Sequence, residues 1–436
     1  MNLFDELNDT SIEDDEKELN VDDLLNTKIS YKAKVMDIES VLNALKRGDY
    51  ILPKYQRKYV WEKYQASNLV LSLIKNIPIP PLYLYYDNKT AKYVVLDGQQ
   101  RITTLFMYYN DIFYKSKSGR EKIDFKDISK NLDEINYLLE KKEFIKADSP
   151  NRESKEIDGK VKCIYKYIEK KYNISKSTFN LELEEDQKDI TFSNFDDKAK
   201  RILRRKDLEV VFVQCDDKNS DKAYSEIFKL LNSAGKELSS QEIRNGVFYN
   251  NALYDKVYEL NKNNVVWRKI YGVESLICKD IEYLLRFLAL DYYSKYDSNN
   301  SCEFIIDYHK TFSYSNTIDA YSEIFNRKFN DKNSNEIESK AEKVANKLEK
   351  FFEKFIDIDE SVKITGKNLL ILEAMFLAFS KLNLLDSNLK ISYFEWVEML
   401  KNDKSVKRYI LQSTSSKGNV QNRINEIISI IKQRII

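Results

Sequence analysis

Tyr93-Val94-Val95-Leu96-Asp97-Gly98-Gln99-Gln100-Arg101-Ile102-Thr103-Thr104-Leu105 is the stretch whose reading decides the fold. Its first four residues are apolar and β-prone, and Asp97-Gly98 then breaks the run. Beyond the break Ile102, Leu105, Phe106 and Tyr109 recur at helical spacing, so the stretch predicts a strand, a tight turn and a helix. A helix that opens on a glycine turn presents unpaired backbone N–H groups and the positive end of its dipole, a setting suited to anions. The turn adds one acid, two amides and one guanidinium. In a phosphate site Arg101 supplies charge, Asp97 holds a metal or a water, and Gln99 and Gln100 orient the ligand. The same residues also suit a plain capped helix, with Asp97 as N-cap and Arg101 in a surface ion pair.

Upstream, Lys32 to Met36 reads as a short strand. Asp37 caps a helix that runs to about Leu45 and ends at Gly48. Ile51 to Trp61 is dense in aromatics and cations, and a helix follows near residues 64 to 75. Tyr55, Tyr59 and Trp61 either stack a nucleobase or pack as core, with Trp61 the first choice for burial. Ile77-Pro78-Ile79-Pro80-Pro81 has to run extended. Leu82 to Tyr86 and Lys92 to Leu96 flank Asp87-Asn88-Lys89-Thr90, a hairpin signal that delivers the second strand to the Asp97 turn.

Downstream, residues 114 to 205 are charged and weakly periodic. Small helices are expected near Asn131 to Tyr137 and Gly159 to Lys170, with an insertion-like loop near 145 to 160. Leu208 to Val213 is a clear strand, and a helix is expected over Asp221 to Leu231. Ser239 or Ser240 then caps a helix carrying Gln241-Glu242-Ile243-Arg244-Asn245-Gly246. Beyond about 250 the chain reads as helical throughout.

Composition bounds the chemistry. A chain of 436 residues that is 42% hydrophobic can build two or three packed domains. Lys+Arg 71 against Asp+Glu 70 leaves no chain-wide basic field, so nucleic-acid contact needs a local patch. Lys401 to Ile436 is the first candidate, with eight cations against two acids. Within it Lys404, Lys407, Arg408, Lys417 and Arg423 are the expected DNA contacts, against the reading of a solvated helix pair. Residues 1 to 25 hold ten acids against Lys17 alone. Such an arm reads as a disordered tail, or as a nucleic-acid mimic covering a basic groove. Cys163, Cys215, Cys278 and Cys302 form no C-x-x-C pair and read as reduced core thiols. His309 is the single histidine, too few for an HNH nuclease, an HD phosphohydrolase or a Cys/His zinc site. Carboxylate-based or phosphate-binding chemistry remains. With no signal peptide or 18-residue apolar run, a cytoplasmic protein without membrane spans is expected.

Three motifs now stand in order: Tyr55-Gln56-Arg57-Lys58-Tyr59-Val60-Trp61, Leu96-Asp97-Gly98-Gln99-Gln100-Arg101, and Phe228-Lys229-Leu230-Leu231-Asn232 followed by Gln241-Glu242-Ile243-Arg244-Asn245. Together with Ile77 to Tyr83 they resemble the GmrSD-type restriction enzyme N-terminal domain family, over roughly residues 30 to 265. The resemblance implies an α+β fold: a ParB/sulfiredoxin-like mixed-sheet core in residues 30–265, after an acidic arm at 1–29 and before a helical region at 266–436. It also implies binding and hydrolysis of a nucleoside triphosphate, with Mg²⁺, in bacterial anti-phage defence that senses modified DNA. Carried over residue by residue, Asp97, Gln99, Gln100 and Arg101 take catalytic roles, with Asp97 the metal ligand. Gln56, Arg57, Gly98, Thr103, Arg244 and Asn245 bind the nucleotide. The HNH half common among such relatives has no counterpart here, which points to a separate nuclease subunit as partner, beside a second copy of this chain. Two other readings stay open: a nucleotide-gated DNA-binding module without turnover, and a Mg²⁺-dependent nuclease built on the same turn.

Overall fold

The computed structural model describes residues 29–53, 57–88, 90–117, 119–146, 152–176, 181, 191–215, 224, 227–228, 231, 239–248, 251–297, 303–326, 334–358 and 366–435. The chain is α+β. Its N-terminal part is built on a mixed sheet with strand order β1-β7-β3-β4-β2: β1 (Ile29–Asp37), β2 (Tyr50–Ile51), β3 (Leu82–Asp87), β4 (Lys92–Asp97) and β7 (Asp207–Cys215). The hairpin expected at Asp87–Thr90 joins β3 and β4, which pair antiparallel from Tyr83↔Asp97 to Asp87↔Lys92. Strand β7 lies parallel to β3 and antiparallel to β1, and β2 runs parallel to β4.

Helices cover the sheet where the sequence places caps. Helix α1 (Ile38–Arg47) starts on Asp37, whose carboxylate accepts from the Ser40 N–H at 2.7 Å, and stops at Gly48 in the left-handed region. Helix α2 is Lys63–Ile74, and α3 (Gln99–Tyr109) leaves the end of β4. Ile38, Val41, Leu45, Leu73, Ile102, Leu105 and Phe106 pack with Leu84, Val95, Leu208 and Val210 into one core on this side of the sheet. The other side is smaller: Tyr85, Val94, Leu96, Val211, Val213 and Cys215 lie under Tyr224 and Phe228.

The 114–205 region departs from expectation. After β5 (Ile112–Tyr114) come two long helices, α4 (Phe125–Lys146) and α5 (Arg152–Tyr172), in place of two small ones, and α5 takes up most of the expected loop. Ile128, Leu132 and Ile135 of α4 and Ile168 and Tyr172 of α5 reach the core. Intervening lysines and glutamates dilute that stripe in the sequence. Strand β6 (Ile174–Lys176) pairs with β5, and α6 (Asp197–Arg204) leads into β7.

From α7 (Ser240–Val247) onward helices dominate: α8 (Ala252–Asn263), α9 (Val265–Tyr271), α10 (Lys279–Tyr292), α11 (Tyr314–Glu323), α12 (Ser334–Phe352), α13 (Gly366–Lys381), α14 (Tyr393–Asn402), α15 (Lys404–Lys407) and α16 (Lys417–Ile435). They enclose a second core that begins at Phe248 and includes Trp267, Leu285, Phe376 and Ile427. The region is not helical throughout. Strands β8 (Ser294–Asp297) and β9 (Glu303–Ile306) pair antiparallel, and β10 (Phe355–Ile356) pairs with β11 (Ile391–Ser392). In β9 only Phe304 and Ile306 turn inward, too short an alternation to stand out in sequence. Among the described residues no helix is long and apolar enough to cross a membrane. The acidic arm lies outside the described residues.

Candidate functional site

The corner between β4 and α3 is shaped by Gly98. Its φ of 97° lies in the left-handed region, and a Cβ there would meet Leu82 Cδ2 at 2.3 Å. Glycine is required on both counts. Gly98, not Asp97, is the N-cap of α3, and among the described residues no side chain caps the helix start. Among the described residues the first N–H groups of α3 thus have no side-chain cap, as an anion site needs, although the Arg101 guanidinium lies over Gly98.

Arg101 folds back over this turn. It donates from Nη2 to Asp97 and from Nη1 to the Pro80 carbonyl, with 8% of its surface exposed. The two amides reach the other way. Gln99 Nε2 donates to the Arg57 carbonyl at 2.8 Å, and Gln100 Oε1 accepts from the Val60 N–H at 2.9 Å. The turn thus grips the Arg57–Val60 segment of the upstream motif through its backbone. Tyr59 locks the same segment from below: its hydroxyl meets Thr104 Oγ1 at 2.7 Å, and its ring stacks on Tyr114. Burial pushes the Tyr59 phenol well above its ordinary range.

These contacts revise several expectations. Tyr59 is buried, with 3% of its surface exposed, and Trp61, the first choice for burial, is half-buried. Tyr55 and Gln56 lie outside the described residues. Thr103 is buried, while its neighbour Thr104 makes the contact to the upstream motif. Arg57, Asp97 and Gln99 are half-buried and keep part of their side-chain surface open.

Arg244 does not converge on the turn. It is 3% exposed and engages Asp319, Gln241 and Ser315, so it ties α7 to α11. Asn245 is buried and accepts from Gln241 at 2.7 Å. Of that motif it is Glu242 that faces the corner, with Oε1 3.3 Å from Arg57 Nη1. Glu242 also closes a capping box with Ser239 at the start of α7. Its signal in the sequence is the Ser-x-x-Glu spacing. Sequence reading missed Lys58, which bridges Glu121 at 3.2 Å and Glu274 at 2.9 Å and so clips the motif segment to the helical region. Arg120, whose Nη1 holds the Tyr59 and Trp61 carbonyls, carries no sequence signal.

In the C-terminal basic segment Lys404, Lys407, Arg408 and Lys417 are exposed. Arg423 is not: it is 0% exposed and bonded to Glu373, the Tyr314 hydroxyl and two carbonyls. A guanidinium sealed in the core cannot reach a phosphate backbone, so Arg423 leaves the expected DNA-contact set.

Among the described residues no group of three or more His, Cys, Asp or Glu side chains is arranged to hold a metal ion. Asp97 is the one carboxylate of the turn. Mg²⁺ is commonly held by one or two carboxylates together with substrate phosphates and waters, so this donor set fits a metal arriving with a nucleotide.

Residues 38–249 match the family described as GmrSD restriction endonuclease, N-terminal domain. This stretch, just under half of the chain, belongs to that family and ties the protein to a GmrSD-type restriction system of phage defence. No curated protein matches the chain.

Proposed function

We propose that this GmrSD N-terminal domain binds a nucleoside triphosphate at the Asp97–Arg101 corner and hydrolyses it, so that occupancy switches a defence response in which the chain contacts DNA and signals to a separate effector. The observation that carries the reading is the glycine-started α3. Among the described residues its N-terminal N–H groups lack a side-chain cap, and Arg57, Asp97 and Gln99 lie half-buried beside them.

Phosphate oxygens accept from the α3 N–H groups. Arg57 carries the charge contact, and Arg101 joins it on exchanging Asp97 for phosphate. Asp97, released from Arg101, then faces the metal–phosphate group. Gln99 orients the attacking water, while Gln100 keeps the Arg57–Val60 segment in register. Bound Mg²⁺ supplies neutralisation of the phosphate charge. Phosphate release measured with each of the four ribonucleoside triphosphates, with and without DNA, tests the reading. Turnover lost in Asp97→Asn supports it, and turnover unchanged there rejects it.

A second reading, nucleotide-gated DNA binding without turnover, draws on the Asp97–Arg101 pair, which occupies the only carboxylate of the turn. Nucleotide binding with no phosphate release would favour it. Nuclease activity on this turn has less support, because the turn itself holds one carboxylate, Asp97, and Glu242 beside it is engaged by Arg57 and by the α7 cap.

A further inference from the structure

Helix α6 and the end that follows it carry Lys198, Lys200, Arg201, Arg204, Arg205 and Lys206 within nine residues. Lys198, Arg201 and Arg205 share one face at i, i+3 and i+7, and all three are exposed. Leu203 points the other way, into the core under the sheet. Among the described residues none of these three cations forms an ion pair within 4.0 Å, and Arg205 is near enough to Asp37 to help hold its carboxyl down. Lysines of α5 and its surroundings do pair, as in Lys115–Glu169, Lys142–Asp158 and Lys171–Asp127.

The sheet separates this surface from nearby acids. In β7, Leu208 and Val210 face the core that takes Leu203, whereas Val211, Val213 and Cys215 face the smaller core. By strand alternation Asp207 and Glu209 point with the second set, away from α6. On the paired edge strand β1, Lys34 lies opposite Val210 and Lys32 opposite Phe212, so both project on the α6 side. Lys34 Nζ stands 5.3 Å over the Phe212 ring, and both lysines are exposed. Of the remaining acids, Asp37 is engaged in capping α1 and Asp196 in capping α6, while the exposed Asp197 lies at i, i+4 from Arg201 and offsets one of the six cations between Lys198 and Lys206.

We infer that α6 with the Lys32–Lys34 side of β1 forms a docking surface for the phosphate backbone of duplex DNA. It is a second contact, separate from the Lys404–Lys417 segment. A surplus of exposed cations on one helix, joined by lysines on an edge strand, suits a regular line of phosphates read without base contacts. This rests on the reading that the chain contacts DNA.

The test is duplex binding by the full chain, followed by fluorescence anisotropy across a salt series. The variant is Lys198→Gln/Arg201→Gln/Arg205→Gln, with Lys404→Gln/Lys407→Gln/Arg408→Gln/Lys417→Gln in parallel. The α6 variant should lose affinity about tenfold or more, and its log Kd against log salt slope should shrink by about two to three. Arg201→Lys/Arg205→Lys should keep the slope. In the unsubstituted chain, bound duplex should slow acetylation of Lys198 and Lys34, which keeps the test open if the triple variant folds poorly. Unchanged affinity and slope in the α6 variant, or unprotected amines, would overturn the docking surface and point to an acidic protein segment as its partner. If the C-terminal variant alone weakens, DNA contact stands and this surface falls. If the unsubstituted chain does not bind duplex, both fall.

Discussion

Gly98 concentrates the demands of the corner in one residue. A methyl group there meets Leu82 at 2.3 Å while the backbone holds φ at 97°. Gly98→Ala should therefore cost about 2 to 4 kcal/mol in chemical denaturation, combining left-handed strain with overpacking. A loss under about 0.5 kcal/mol would mean that Leu82 and the turn yield freely. Gln100 is the second such residue. Gln100→Ala leaves the Val60 N–H without its acceptor and should cost about 1 to 3 kcal/mol. Asp291 gives the pH dependence. Burial alone would raise its carboxyl, but Lys381 and Lys347, with hydrogen bonds from Lys347 and Ser380, hold it down at about 2 against an ordinary 3.8. A folded-state value below the unfolded one means that the stabilisation is complete above about pH 4 and drains as pH falls toward 2. The amount is on the order of 2 kcal/mol. Asp291→Asn should flatten that part of a stability–pH curve, and an unaltered slope between pH 4 and 2 would contradict the assignment.

At the scale of elements, α1 was legible because both of its ends are written in single residues, Asp37 and Gly48. The β3–β4 hairpin and α3 were legible for the same reason: a turn signal fixes the register of everything after it. Helices α4 and α5 were not, because their inward stripes are thin and their lysine-rich faces hide the period. The site divides similarly. The turn, its glycine and the upstream motif stand out in sequence as clustered residue types. What each side chain touches does not. Arg244 and Arg423 read as free cations, but Asp319 lies 75 residues from the first and Glu373 50 from the second. The Arg286–Glu373–Arg423 group joins α10, α13 and α16 entirely inside the helical core. Glu373→Gln removes the shared counter-charge and should destabilise the chain by about 3 to 5 kcal/mol, read by chemical denaturation. A value near zero would show that the two guanidiniums find other partners.

Across the whole molecule the Arg57–Val60 segment is the shared component. On one side Gln99 and Gln100 hold its backbone to the Asp97–Arg101 corner. On the other, Arg57 pairs with Glu242, Lys58 pairs with Glu274, and the Lys58 N–H donates to the Leu276 carbonyl at 3.2 Å. Anything that draws Arg57 or Gln99 toward a ligand pulls on the helical region through these contacts. That linkage gives the proposed nucleotide-dependent response a physical route. Isothermal titration of the full chain with each ribonucleoside triphosphate in Mg²⁺, repeated on Arg57→Ala and Arg101→Ala, tests this most directly. Saturable binding of at least one nucleotide, weakened about tenfold or more in each variant, is the predicted result. No heat of binding with any of the four, or undiminished affinity in both variants, would contradict it.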